Sequence, residues 1–206
     1  GNITGVFFRY VTPGVIGMVG MSLYILADTY FIANGVGRLG LAALNIGLPA
    51  YNLIFGIGAL LGIGGGTVFS ILHGRGELGR ANRPFTISAV LGTAFSLLFA
   101  LLGLVAAEPI AFLLGATEET ALYTTTYLRV ILLFSPAFIL NNIMTAFVRN
   151  DGNPHLAMAA MTISTLTNIV LDYVCIYPLK LGMFGAALAT GLGSVLGLLI
   201  QLTHFL

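Results

Sequence analysis

Residues 39–74 read LGLAALNIGLPAYNLIFGIGALLGIGGGTVFSILHG, thirty-six positions without an acidic residue, lysine or arginine, bounded by Arg38 and Arg75. A bilayer core roughly 30 Å thick is crossed by a helix of about 20 apolar residues, so this run holds one long span and its lead-in. Working outward, similar runs recur. Eighteen uncharged residues separate Arg9 from Asp28, and twenty-four separate Arg83 from Glu108. Twenty-nine lie between Glu119 and Arg149, broken only by Arg129. Twenty lie between Asp151 and Asp172, and twenty-six follow Lys180. The reading is an all-α, polytopic membrane protein: one six-helix transmembrane bundle over 1–206, with helices at about 8–33, 42–73, 84–107, 119–147, 155–178 and 183–206.

Composition agrees. Hydrophobic residues make up 58% of the 206 positions and charged residues 7%, far below the share that a water-exposed surface of this size requires. Mean hydropathy is +1.01. A net charge of +1 leaves no basic stripe for nucleic acid. The single Cys175 excludes an intrachain disulfide framework, and no Cys/His cluster suggests a metal centre. The segments are continuously apolar, without the alternation of membrane barrel strands.

The punctuation between spans fits helices. Asn82-Arg83-Pro84 and Asn153-Pro154 set a capping Asn before Pro in a first turn. Thr117-Glu118-Glu119 places acids where a helix dipole favours them. His73-Gly-Arg-Gly-Glu77 and Arg149-Asn-Asp-Gly-Asn153 read as polar turns. Arg9, Arg75, Arg80, Arg83 and Arg149 fall on one side of this topology, against Arg38 and Lys180 on the other. The positive-inside rule therefore puts both termini inside.

The informative residues are polar ones within spans. Asp28 and Asp172 each lie about six residues before an outer helix end, where an ionised carboxylate is costly unless it faces protein or a wet cavity. Asn168 shares a helix face with Asp172 one turn away. A hairpin centred near Leu181 would set Asp172 and Thr190 at equal depth, and Tyr127 lies about eight residues into the fourth span. At 1.5 Å per residue all five groups fall roughly 9–12 Å below the outer surface. Asp28, Tyr127, Asn168, Asp172 and Thr190 are thus expected to form one polar layer. Its hard oxygen donors suit protons or a small hard cation. Neighbouring carboxylates in a low dielectric also favour proton uptake near neutral pH. The rival reading is a satisfied polar network that only locks helix packing.

Lesser features have simpler explanations. Pro13, inside the first helix between Thr12 and Gly14, can kink or hinge it. Gly58, Gly62 and Gly66 line one helix face for close approach. The glycines before Thr67 lack the lysine of a phosphate loop. Arg129, two positions from Tyr127, points to another face, where it snorkels or pairs with an acid. His73, His155 and His204 fall at inner helix ends; Cys175 reads as an apolar filler, and Tyr51 and Phe138 as candidates to line a cavity.

Several stretches resemble one family. Leu23-Tyr-Ile-Leu-Ala-Asp-Thr-Tyr-Phe-Ile-Ala-Asn-Gly35 with Leu41-Ala-Ala-Leu-Asn45 is similar to the first helix and following loop of multidrug and toxic compound extrusion (MATE) transporters. Arg149-Asn-Asp-Gly-Asn-Pro154, Thr167-Asn-Ile-Val-Leu-Asp-Tyr173 and Gly182-Met-Phe-Gly-Ala-Ala-Leu-Ala-Thr190 resemble the same family, in its DinF-like or NorM-like members. The resemblance implies one N-terminal six-helix lobe of a two-lobe antiporter that exports organic, often cationic drugs against Na⁺ or H⁺ by alternating access. It also implies a cation site at Asp28, Tyr127, Asn168, Asp172 and Thr190, with Na⁺ as coupling ion held by Asp28, Asn168, Asp172 and Thr190, and a hinge at Pro13.

From this follow a multi-pass location in the cell (inner) membrane, small organic substrates, lipid as surroundings and no cofactor beyond the coupling ion. The second lobe is expected either from sequence outside this chain or from a homodimer partner. No nucleophile–base pair suggests an enzyme. The alternatives are a flippase for lipid-linked saccharides from the same superfamily, and a non-transporting membrane scaffold or assembly partner.

Overall fold

The run after Arg38 forms one continuous helix in the computed structural model, which describes residues 3–205; the side chains of 3–6, 8–10, 13, 14, 16–18, 21 and 78 fall outside that description. The elements are α1 (Ile3–Gly35), α2 (Arg38–Gly74), α3 (Leu78–Val105), α4 (Ala107–Leu113), α5 (Glu118–Leu133), α6 (Ser135–Asn150), α7 (Pro154–Ile176) and α8 (Gly182–Leu202), then a 3₁₀ turn at Thr203–Phe205. No strand occurs among the described residues. The protein is a multi-pass helical bundle. Among the described residues α2, α3, α7 and α8 are each long and apolar enough to cross a membrane, and the bent pair α5–α6 makes a fifth span. Leu60, Val105 and Leu122 are more than 70% exposed. Such an apolar exterior is what a lipid-facing bundle presents.

Two expected boundaries need correction. The third helix begins at Leu78, not at Pro84, which lies inside it. The amides of Arg80 and Ala81 both donate to the Glu77 carbonyl, so the helix is already started when Pro84 withholds its N–H. The expected fourth span, 119–147, is two helices that bend by 49° at Phe134. Pro136 cannot donate to the Leu132 carbonyl, and the Ser135 hydroxyl fills the gap at 2.6 Å from that oxygen and 2.9 Å from the Ser96 carbonyl of α3. A short helix, α4, also occupies what reads in the sequence as a loop.

Other local readings hold. The Asn153 side chain accepts from the Leu156 amide at 3.2 Å, and Thr117 forms a capping box with Thr120 ahead of Glu118 and Glu119. The polar turns use glycine in the left-handed region, with φ +76° at Gly76 and +85° at Gly152. Helices α2 and α6 meet along the predicted glycine row. A Cβ at Gly58 would stand 3.1 Å from the Ile139 Cα, and one at Gly62 3.0 Å from the Asn142 carbonyl. His73 near the end of α2, Ala81 and Asn82 near the start of α3, Asp151 of the α6–α7 turn and Phe205 border one pocket, so these segments share one end of the bundle. His204 lies there, bonded to Asp151 at 2.8 Å rather than free at a helix end.

Candidate cation site

α1 and α7 run side by side in the same direction. The Phe31 ring packs edge-on against Tyr173 and Tyr177, with centroids 6.2 and 6.0 Å apart. One turn below, this register brings the Asp28 and Asp172 carboxyl groups face to face. Asp172 is fully shielded from solvent, and Asp28 is 5% exposed. No donor among the described residues reaches Oδ1 of Asp28 or either Asp172 oxygen. Burying a carboxylate costs several kcal/mol after relaxation, and no other side chain among the described residues donates a hydrogen bond that would offset it. Two such groups in contact can relieve that cost by sharing one proton or a cation.

α8 supplies the next partner. The Asn168 amide nitrogen donates to the Thr190 hydroxyl at 3.2 Å, and that hydroxyl donates to the Ala186 carbonyl at 3.1 Å. Asn168 and Thr190 are both buried. The hairpin register thus differs from expectation: Thr190 meets Asn168, not Asp172. The turn Tyr177–Leu181 is centred at Leu179, so Thr190 of α8 lies level with a residue one helical turn deeper on α7. Close approach permits the pairing, since a Cβ at Gly193 would lie 3.2 Å from that of Asn168.

Tyr127 is buried on α5 within electrostatic range of both carboxyls and of Tyr51. Its ring lies over Gly47 of α2, where a Cβ would come within 2.7 Å of it. The bundle therefore brings all five expected residues into one neighbourhood. Tyr24 belongs with them and was missed by the sequence reading; its hydroxyl reaches Thr190 and Tyr51. The available signal was its position four residues before Asp28, on the same helix face. Position 13 lies within the continuous helix α1, and the Pro13 side chain is outside the described residues.

A cavity of about 110 Å³ opens beside this cluster. Tyr24, Asn168 and Thr190 border it at one end, and it extends along α7 past Ser164 to Met161 and against Asn141, Asn142 and Thr145 of α6. Tyr51 and Phe138 form an aromatic wall, edge to face at 5.4 Å, as anticipated for a lining. No lysine or arginine borders the cavity. Arg129 sits on the exposed side of α5, turned away from buried Tyr127. Among the described residues no group of three or more His, Cys, Asp and Glu gathers as a transition-metal site. The donors that do gather are carboxylate and amide oxygens, which suit a proton or a hard monovalent cation.

Known proteins share this fold. The family description MatE matches residues 13–174. The chain is 34% identical over 202 residues to the multidrug export protein MepA of Staphylococcus saprophyticus, covering 96% of this chain and 44% of the relative. Against MepA of Staphylococcus aureus (strain MRSA252) the identity is 32%, over 96% and 44%. A solved structure of the MATE multidrug transporter DinF-BH superposes with a TM-score of 0.94 at 32% identity, covering 100% of this chain and 46% of that one. A MATE in the bent conformation gives 0.88 at 30% identity, covering 98% and 45%. The chain thus spans about half the length of the relatives it matches, and those relatives are named for export rather than catalysis. On sequence and on fold together, the chain belongs to the MatE family.

Proposed function

We propose that this chain forms one lobe of a cation-coupled exporter of organic compounds, with Na⁺ or H⁺ taken up between Asp28 and Asp172. The observation that carries this is the facing pair of buried carboxyls, three of whose oxygens have no hydrogen-bond donor. A cation between them offsets two desolvated charges at once, and the free Asn168 Oδ1 adds a neutral oxygen beside it. Tyr24 and Thr190 connect this layer to the cavity, so a change in carboxyl charge is felt at the cavity wall. That cavity, with aromatic faces and neutral polar groups, fits an amphipathic organic compound, as the name "multidrug export protein" of the MepA relatives suggests for them.

The thermodynamics are modest. One charge moving inward across 100 mV supplies ~2.3 kcal/mol, enough for a conformational bias and short of a complete switch. Pro13 in α1, the helix that carries Asp28 and Tyr24, is the natural hinge for that bias. A two-walled substrate passage needs a second lobe, supplied by further sequence or by a second copy, in a cell membrane. The cavity lacks the basic lining that a lipid-linked saccharide carrier would use for its phosphates, so that alternative finds no support here.

The test is a thermal-unfolding series of the purified chain in detergent, with Na⁺ and pH varied independently. Stabilisation by Na⁺ or by protons, abolished by Asp28→Asn and by Asp172→Asn, supports the ion site. Melting that ignores both ions, with the variants altering stability alone, would sink it and favour the scaffold reading.

A further inference from the structure

Three of the eight basic residues of the chain converge on a cleft far from the carboxyl pair. The cleft, about 290 Å³, lies between the adjoining ends of α2 and α3. Arg75 sits at the C-terminus of α2, while Arg80 and Arg83 lie in the first two turns of α3. All three are exposed. The one acid in the cleft, Glu77, is occupied by Arg80 at 3.0 Å. Arg75 and Arg83 have no acidic partner among the described residues, so the cleft carries uncompensated positive charge. Below the arginines its walls turn apolar. Val68 and Ile87 are 49% and 58% exposed, and Leu72 lies between them.

We propose that this cleft, formed by Arg75, Arg80 and Arg83 above Val68, Leu72 and Ile87, seats an anionic phospholipid of the inner leaflet. The arrangement has the two parts that such a lipid requires. A phosphate takes guanidinium forks in a planar, bidentate way that suits arginine. An acyl chain continues downward along the exposed Val68 and Ile87, which face the bilayer in any orientation that buries α2 and α3. The charge bias of the turns sets this end of the bundle on the inner side, where basic pockets between helices recognise anionic headgroups. The N-terminus of α3 adds positive potential at the same place, as Glu77 makes no side-chain cap there. A free anion such as inorganic phosphate would use the arginines but not the apolar wall, and this difference separates the two sources.

The experiment is native mass spectrometry of the intact chain released from detergent with dioleoyl phosphatidylglycerol, dioleoyl phosphatidylcholine or inorganic phosphate added. Phosphatidylglycerol adducts should persist at energies that strip phosphatidylcholine. Arg75→Gln, Arg80→Gln and Arg83→Gln should each weaken them by about fivefold, and the triple variant should bind both lipids alike. Lys180→Gln at the opposite end should change nothing, and replacing all three arginines by lysine should weaken phosphatidylglycerol binding while keeping its preference over phosphatidylcholine, because an ammonium keeps the charge and loses the fork. Should the triple glutamine variant fail to fold, the graded loss across the single variants is the readout. Unchanged phosphatidylglycerol binding in the singles, or displacement of the lipid by an equal concentration of inorganic phosphate, would overturn the proposal.

Discussion

The Thr190 hydroxyl donates to the Ala186 carbonyl and so accepts from Asn168, which fixes the amide nitrogen toward α8 and leaves Asn168 Oδ1 free. A hydroxyl has one proton to give, and here the helix backbone takes it. The orientation of the amide is therefore set by a residue that need not touch the ion. Thr190→Val keeps the shape and removes the acceptor. Expected are a loss of about 1 kcal/mol in stability and a smaller Na⁺- or proton-dependent rise in melting temperature, read by thermal unfolding in detergent. An ion response identical to that of the parent would show that Asn168 orientation is irrelevant to the site.

The carboxyl pair behaves in the opposite sense. No other side chain among the described residues donates to Oδ1 of Asp28 or to either Asp172 oxygen, so neutralising either residue relieves a burial cost and touches only the contact between the two carboxyls. Asp172→Asn and Asp28→Asn should leave the ion-free protein at least as stable as the parent. They should also abolish ion-linked stabilisation, which for a bound ligand at 100 times its dissociation constant amounts to about 2.7 kcal/mol. Loss of several kcal/mol in the ion-free state would instead identify the pair as part of a packing network.

The sequence legible to the eye was the sequence of long-range constraints: lipid thickness, charge placement and buried polarity. Those constraints group Asp28, Tyr127, Asn168, Asp172 and Thr190, because the two carboxyls and the amide break the apolar pattern and the depth count sets Tyr127 and Thr190 level with them. The finer pairing was not legible. Whether Thr190 meets Asp172 or Asn168 depends on how many residues the α7–α8 turn consumes, and the residues Tyr177–Leu181 do not announce their own centre. Tyr24 escaped notice because a tyrosine inside an apolar span breaks no rule; only its one-turn spacing from Asp28 marks it. The break at Phe134 is signalled by Pro136, yet the run from Glu119 to Arg149, with Arg129 as its one charge, reads as a single span.

The glycine row on α2 gives a sharper stability prediction. The Gly62 position faces the backbone of α6, with the Asn142 carbonyl and Ile143 Cα at 3.0 and 3.1 Å from an added Cβ. Backbone cannot swing aside as a flexible side chain can. Gly62→Ala should cost roughly 1–3 kcal/mol, the usual range for overpacking, and Gly62→Leu should abolish the folded bundle. Gly64, with open space around it, is the control, and Gly64→Ala should lie within about 1 kcal/mol of the parent. Equal effects at the two positions, measured by detergent unfolding, would contradict close α2–α6 packing.

The bend between α5 and α6 has two causes that mutation can separate. Pro136 removes the amide that would continue the helix, while the Ser135 hydroxyl ties the freed Leu132 carbonyl region to Ser96 of α3. Phe134 adds a wedge, because its ring lies where a side chain on residue 191 would otherwise stand. With the serine contact and the wedge in place, restoring an amide alone should not straighten the pair. Pro136→Ala is thus expected to keep the distance between spin labels at the exposed Leu122 and Arg149 positions within about 1 Å. In Ser135→Ala/Pro136→Ala the tie is gone as well, and relaxation of the 49° bend toward a straight helix lengthens that distance by about 3–4 Å at 1.5 Å per residue. Pulsed electron–electron resonance resolves the difference. Lengthening already in the single variant would assign the bend to proline alone, and no change in the double would leave it to the Phe134 wedge and the packing of the neighbouring helices.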